Sequence, residues 1–305
     1  GNDLAENYYQ VEIPLQVSPQ TSLDPELVWP ELNEINIPIS AFEAIKSISI
    51  VNGNLGSDTP VFYNLDGDNV IEEPVSEFSF LEFGNQRVSI KGNPNFGDVR
   101  TLMVGVKNPS QDNMDVCAEV WFNELRLSDM DNEGGWAATL AVDSNFADFI
   151  NLSATARQST SGFGNLEQGP SERDKEDKKQ YDLVTSMNVG KLFPEKWGLT
   201  IPFNYSSGEE LITPEYDQQF RDIRLNSVLD LAENQAQRDI IQRQSEDYTK
   251  RKNINFIGVN KQKLGEKKAR FYDIENLTLN YSYNEIKHRD YEIENMLDQS
   301  VRAGM

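Results

Sequence analysis

The side chains able to carry catalysis are few and scattered. The one histidine, His288, lies among charged residues in a connection, IKHRDYE, and no second histidine or cysteine stands at ligand spacing from it. Lone Cys117 has no partner for an internal disulfide and is expected to be a buried free thiol. TSGFGN, residues 160–165, is glycine-rich but lacks the strand–turn–helix frame of a phosphate loop, and no nucleophile elbow or dinucleotide fingerprint occurs. NLDGDN, residues 64–69, resembles a calcium loop without the glycine at its sixth position or the distal glutamate, so it reads as a polar turn. The 50 acidic residues offer no pair singled out by spacing. These patterns predict no catalytic residue, no cofactor and no metal site, and so a chain that is not an enzyme. Trp29 and Trp121 are candidates for stacking on sugars, with core or interface packing as the alternative.

With catalysis set aside, the chain has to be read through its surfaces. At 38% hydrophobic, 305 residues can bury a core, and no stretch approaches the roughly 20 apolar residues of a spanning helix. Transmembrane strands remain open, because half of each such strand is polar. Residues 1–133 hold 23 acidic and 6 basic side chains, net −17, against 27 and 22, net −5, in residues 134–305. An acidic front half argues against nucleic acid, whose backbone selects clustered bases. The chain starts at Gly1 without methionine and stops within a pattern, which reads as an internal segment of a longer protein.

Residues 1–130 read as a β-sandwich or jelly-roll domain. NYYQVEIPLQV alternates, with Tyr9, Val11, Ile13, Leu15 and Val17 on one face. EFSFLEF, QRVSIKG, VRTLMVGVKN and VCAEVWFNELRL follow, separated by turns rich in Pro, Gly and Asn. AFEAIKSI, residues 41–48, is expected to form one short helix.

Residues 134–305 read as antiparallel strands of a large transmembrane β-barrel, present in part, with one helix carried in a loop. Each strand has one apolar and one polar side. Trp136 and Leu140 share a side on the first strand; Trp197, Leu199, Ile201, Phe203 and Tyr205 share one on a later strand; Leu277, Leu279, Tyr281 and Tyr283 share one on another. These are the proposed lipid-facing residues. Asn151, Ser153, Thr155, Thr200, Asn204, Thr278, Asn280 and Ser282 take the opposite sides and are the proposed lumen-facing residues.

Three features favour lipid over a second protein layer. The strands run about ten residues, enough to cross a bilayer at a tilt. Trp136, Trp197, Tyr205, Phe271, Tyr281 and Tyr283 stand where interfacial girdles would. The connections alternate between short (144–148, 191–196, 263–270) and long (159–180, 207–252, 286–297), as in outer-membrane barrels. The charged run 169–179 reads as a mobile loop, and 226–252 as a helix capped by Asn226 or Ser227, ending in a basic TKRK. The alternative is a surface-exposed sandwich module, glycan-binding and non-catalytic, in which the apolar faces cover each other.

Several longer motifs also resemble a family. KGNPNFGDVRTLMVGVKNP, EVWFNELRLSDMDNEGGWAA, ADF followed by TSGFG, KLFPEKWGLTIPF, TPEYD, DYTKRKNINF and DIENLTLNYSYNEIKHRDYEIE occur in this order across nearly the whole chain. They resemble the SprA/Sov family, very large outer-membrane proteins of gliding motility and type IX secretion in the Bacteroidota. The resemblance implies a segment of a giant single-chain barrel that conducts secreted cargo proteins across the outer membrane of a Gram-negative cell, partly surface-exposed. It implies no catalytic residue. Its implied partners are a small outer-membrane barrel shuttle, a plug protein and membrane lipid, none of them assignable to numbered positions.

Overall fold

The computed structural model describes residues 6–18, 23–65, 71, 73–108, 115, 117–128, 133–147, 149–232, 234–265, 270 and 272–305. Most of NLDGDN and Phe271 lie outside the described residues. The chain is mainly β, with antiparallel sheets and few helices. It divides into a front unit, residues 1–127 with 219–231, and a second unit, residues 128–218 with 232–305.

The front unit is built on a three-stranded antiparallel sheet, ordered β1 (Tyr8–Glu12), β3 (Gln86–Lys91), β2 (Val61–Leu65). A short helix, α1 (Pro25–Val28), is capped by Asp24, whose carboxylate accepts from the Glu26 N–H. A longer one, α2 (Ile39–Val51), puts Ala41 and Ile45 on the same face, four residues apart. They pack with Tyr63, Leu65, Val88 and Ile90 into the hydrophobic core. The helix stops where the Asn52 N–H reaches the Ile48 carbonyl and Gly53 turns left-handed at φ 68°.

Among the described residues the front unit shows this three-stranded sheet and no jelly roll. Residues 77–83, 99–108 and 117–127 alternate like strands but enter no ladder among the described residues. Leu102, Met103, Val104, Trp121, Phe122 and Leu125 are exposed. Alternation makes one face apolar, but a strand also needs a neighbour for its N–H and C=O groups. Strand β1 likewise ends at Glu12, two residues before Pro14, leaving Leu15 and Val17 exposed. Cys117, expected to be buried, is exposed in one of these unpaired stretches.

The second unit is an eight-stranded antiparallel sheet. Its strands are β4 (Ala137–Phe146), β5 (Ile150–Ser159), β6 (Glu176–Asn188), β7 (Leu199–Thr200), β8 (Pro202–Pro214), β9 (Asp247–Lys261), β10 (Thr278–Arg289) and β11 (Met296–Gly304). They form a meander, β11-β10-β9-β8-β6-β5-β4, with β7 joining β9 as a short extension below β8. The sheet is open: no closed barrel is seen among the described residues. On β9, Gly258 at φ 80° makes a bulge opposite β10, and the Asn280 side chain fills it by accepting the Gly258 N–H.

The connections depart from expectation in three places. The charged run 169–179 enters β6 at Glu176, and β10 and β11 are joined by residues 290–295 alone, so that connection is not long. The expected helix over 226–252 is two helices, α3 (Leu225–Asp230) and α4 (Gln235–Ser245), and residues 247–252 are strand. Asn234 interrupts the helical run because its side chain accepts from the Gln237 N–H and caps α4. Neither Asn226 nor Ser227 caps α3, whose N-cap is Arg224. TKRK is therefore part of β9 rather than a helix end. His288, expected in a connection, lies in β10.

Candidate functional site

The sheet's two faces follow from its register. Because side chains alternate, residues paired across strands share a side, and every second residue repeats it. One row runs Asn145, Asn151, Ser186, Asn204, Asn255, Ser282, Arg302 across β4 to β11. Its side chains bond one another: Asn145 Nδ2 donates to Asn151 Oδ1 at 2.6 Å, Ser186 Oγ to Asn204 Oδ1 at 2.7 Å, and Ser282 Oγ to Asn255 Oδ1 at 2.7 Å. The next row is Asp143, Ser153, Val184, Ser206, Asn253, Asn284, Ser300, where Asn253 Nδ2 donates to Ser206 Oγ at 3.0 Å. Above it stand Ala141, Thr155, Asp182, Gly208 and Arg251. At the other end, Thr200 and Thr278 both pair with Asn260, and Asn280 fills the bulge. All eight residues proposed to face a lumen thus share one side of the sheet.

The opposite side carries Phe146, Ile150, Met187, Phe203, Phe256, Tyr281 and Ala303 in one row. Beside it run Ser144, Leu152, Thr185, Tyr205, Ile254, Tyr283 and Val301. Phe203 and Phe256 meet at 4.9 Å between ring centres, and Phe256 and Tyr281 at 6.5 Å. Leu279 pairs with Val259 and Leu199 with Lys261 on the same side. Leu277 ends the 3-10 turn entering β10, and Ile201 links β7 to β8, its carbonyl accepting the Val189 N–H. Leu140 lies farther along β4, opposite Ala156. Trp136 precedes β4 and donates its backbone N–H to Thr160 Oγ1 at 3.0 Å. Trp197 closes the 3-10 turn before β7 and stacks on Phe193, 5.6 Å between centres. The two tryptophans therefore mark opposite ends of the strands.

None of the described residues in β4 to β11 is buried. Leu140 is 64% exposed and Val301 61%. The hydrophobic core cluster lies wholly in the front unit. An antiparallel sheet in a sandwich would bury its apolar face under a second layer. This one does not.

Sequence reasoning passed over Asn145, Ser186, Asn255 and Arg302, although the parity of their strands gives them the same side as Asn151. It also missed a buried cluster in the front unit. Lys46 Nζ donates to both carboxylate oxygens of Asp222, at 2.7 and 2.9 Å, and to the Pro94 carbonyl at 2.9 Å. The Phe96 N–H also donates to Asp222. Burial, then the charges of Asp222 and Glu43, push the nearby Tyr9 hydroxyl well above the usual tyrosine range. Near the β10–β11 turn, His288 bonds Thr249 Oγ1 through Nδ1 and Asp290 through Nε2. The Asp290 carboxyl is held below its ordinary range by the Ile293 N–H and then by His288.

Among the described residues no group of three or more His, Cys, Asp or Glu is placed to hold a metal. Among the described residues no helix is long and apolar enough to cross a membrane, which says nothing of strands. Trp121 donates Nε1 to Glu119 and Trp29 follows α1; neither belongs to a strand. A family model for the N-terminal part of SprA, described as "Motility related/secretion protein", matches residues 1–229. A search of curated proteins found no match.

Proposed function

The chain belongs to the SprA family of motility-related and secretion proteins, and we propose that it forms part of the wall of an outer-membrane protein-conducting channel serving type IX secretion and gliding motility. The observation that supports this most is the two-faced sheet: seven long strands in meander order, polar rows on one side, apolar rows on the other, and no buried residue in any of them. In the proposal the apolar rows meet lipid and the Asn/Ser rows meet an aqueous lumen. Leu199, Phe203, Tyr205, Leu279, Tyr281 and Tyr283 would then lie against acyl chains, with Trp136 and Trp197 near the two interfaces. The open edges of β4 and β11 fit a wall continued by further strands, since unpaired edges are not tolerated in a bilayer. The role is conduction rather than catalysis, and the passenger is an extended or folded cargo protein. The shuttle and plug partners belong to the same proposal without assigned contacts.

The test compares neighbours on β5. An arginine on the lipid side of a barrel costs about 2–4 kcal/mol at the membrane midplane and far less on the lumen side. Leu152→Arg should therefore deplete the protein from the outer membrane, while Thr155→Arg should leave assembly and secretion in place. Equal tolerance of the two would sink the lipid assignment.

A further inference from the structure

The apolar rows do not end at one level of the register. On β4 they continue through Val142 and Leu140 to Ala138, with Trp136 just beyond, and on β6 through Leu183 to Tyr181. On β9 and β10 they stop at the pair Ile254 and Tyr283. A band that slides along the register from strand to strand is what tilted strands crossing a slab produce. On β9 and β10 its edge is a step of cations. The next pairs on the same side are Lys252 with Glu285, Lys250 with Lys287, and Tyr248 with Arg289.

We propose that Lys250, Lys252, Lys287 and Arg289 form a site for the phosphate of an anionic lipid headgroup; this rests on the apolar side meeting lipid. Lys250 and Lys287 stand directly opposite each other, where like charges about 5 Å apart at Cβ are unfavourable unless an anion lies between them. Their neighbours leave room for one. Lys250 is paired with Glu209 and Lys287 lies 3.5 Å from Glu285, yet the two lysine side chains keep 36% and 49% of their exposure. Lys252 makes no ion pair among the described residues, although Glu285 stands opposite it. Arg289 donates to Glu246 at 2.7 Å and to the Arg243 carbonyl, with its guanidinium over the Tyr248 ring. Four cations thus face three acids in a chain whose net charge is −22. Lysine stems can lie along the apolar rows while their ammonium groups reach the headgroup level. Acyl chains on Ile254 and Tyr283 would bring a phosphate to that level, which free inorganic phosphate cannot do.

The protein carrying this chain, reconstituted in phosphatidylcholine nanodiscs with or without phosphatidylglycerol, provides the test. Native mass spectrometry reads which lipid stays bound. Lys250→Gln with Lys287→Gln should weaken phosphatidylglycerol retention roughly thirtyfold, the effect of removing two cations at an anionic surface. Phosphatidylcholine retention should not change, and Lys250→Arg with Lys287→Arg should keep phosphatidylglycerol. Unchanged retention in the glutamine variant overturns the site. Displacement of phosphatidylglycerol by added inorganic phosphate overturns the lipid in favour of a free anion. Brominated acyl chains separate the two readings through quenching of Trp136 and Trp197. Quenching without headgroup selectivity removes this site alone, whereas no quenching in the unaltered protein removes the lipid face itself.

Discussion

The front unit and the large sheet start from similar material, apolar residues alternating with polar ones, and dispose of them differently. In the front unit α2 lies over three strands and excludes water from Ile45, Tyr63 and Val88. There, even charge is buried: Lys46 and Asp222 keep 2% and 4% of their side-chain exposure. In the sheet, whose strands are more and longer, no strand residue is buried, and the Lys250–Glu209 pair keeps 36% and 22% of its side-chain exposure. Stability in the first region comes from packing and one enclosed ion pair. In the second it comes from ladders and close backbone contacts.

The sharpest way to break this contrast is to remove one partner from an ion pair in each region. Asp222→Ala leaves Lys46 buried and uncompensated, which costs about 3–5 kcal/mol. Glu209→Ala, beside a Lys250 that is about one-third exposed, should cost no more than about 1 kcal/mol. Hydrogen exchange on the full chain reads both: α2 amides should lose protection in the first variant, and β8 and β9 amides should keep theirs in the second. Similar losses would mean that the two regions are not built differently. Lys46→Met with Asp222→Leu should restore much of the α2 protection, because removing both charges leaves no orphan.

The next contrast concerns glycine. At Gly190 an added Cβ would fall 2.2 Å from the Leu199 carbonyl oxygen. The turn joining β6 to β7 is held at that approach and has no core to absorb a shift. Gly190→Ala should cost about 1–3 kcal/mol, as overpacking does. At Gly53, where a Cβ meets nothing within 4 Å, alanine carries only the strain of a left-handed φ, about 1–2 kcal/mol. Thermal unfolding of the assembled protein should rank Gly190→Ala as the more damaging change.

These two regions also differ in how much of them the sequence discloses. The sheet is legible because its rule is local: Thr278 to Asn284 alternates regardless of its partners, so the side each residue takes can be read directly. The Asn/Ser rows needed only the parity of β4, β6 and β9 to be followed across strands. Residues 99–108 and 117–127 obey the same rule and pair with nothing described, since alternation cannot report whether a neighbour exists. The Lys46–Asp222 pair spans 176 positions, from α2 to the connection between β8 and β9. Nothing near either residue announces the other. The same connection looked like one helix because its apolar spacing continues past Asn234, while the cap that splits it is a single side-chain bond.

Titration distinguishes the regions more gently. Tyr9, held protonated by burial and by Asp222 and Glu43, has a folded value above its unfolded one. Such a group contributes stability in full below the unfolded value of about 10, and loses that contribution as pH rises beyond it toward the folded value. The front unit should therefore weaken above about pH 10, and Tyr9→Phe should remove that part of the slope. Protection of α2 amides, followed with pH in both forms, measures it; a Tyr9→Phe slope identical to the parent would show that the hydroxyl stays accessible.

The smallest effects are expected in the polar rows, and their smallness is the point. Each side-chain bond there, Ser186 to Asn204 or Ser282 to Asn255, joins partly exposed groups with water as a ready substitute. A cross-strand pair of this kind contributes about 0.2–1 kcal/mol. A wall along which unrelated cargo passes needs hydrogen-bonding groups that hold one another rather than the passenger, and short Asn and Ser side chains bonded across strands have that property. A solute-selective pore would instead gather charged or aromatic groups at a constriction. Ser186→Ala, Asn204→Ala and Ser282→Ala should each lower stability by no more than about 1 kcal/mol and leave secretion of native cargo close to the parental level. Secretion measured in strains carrying each change, with protein level controlled, decides it. If any one of the three alanines stopped export while the protein remained abundant, the polar side would be a specific binding surface, and the contrast with the packed front unit would have to be drawn on other grounds.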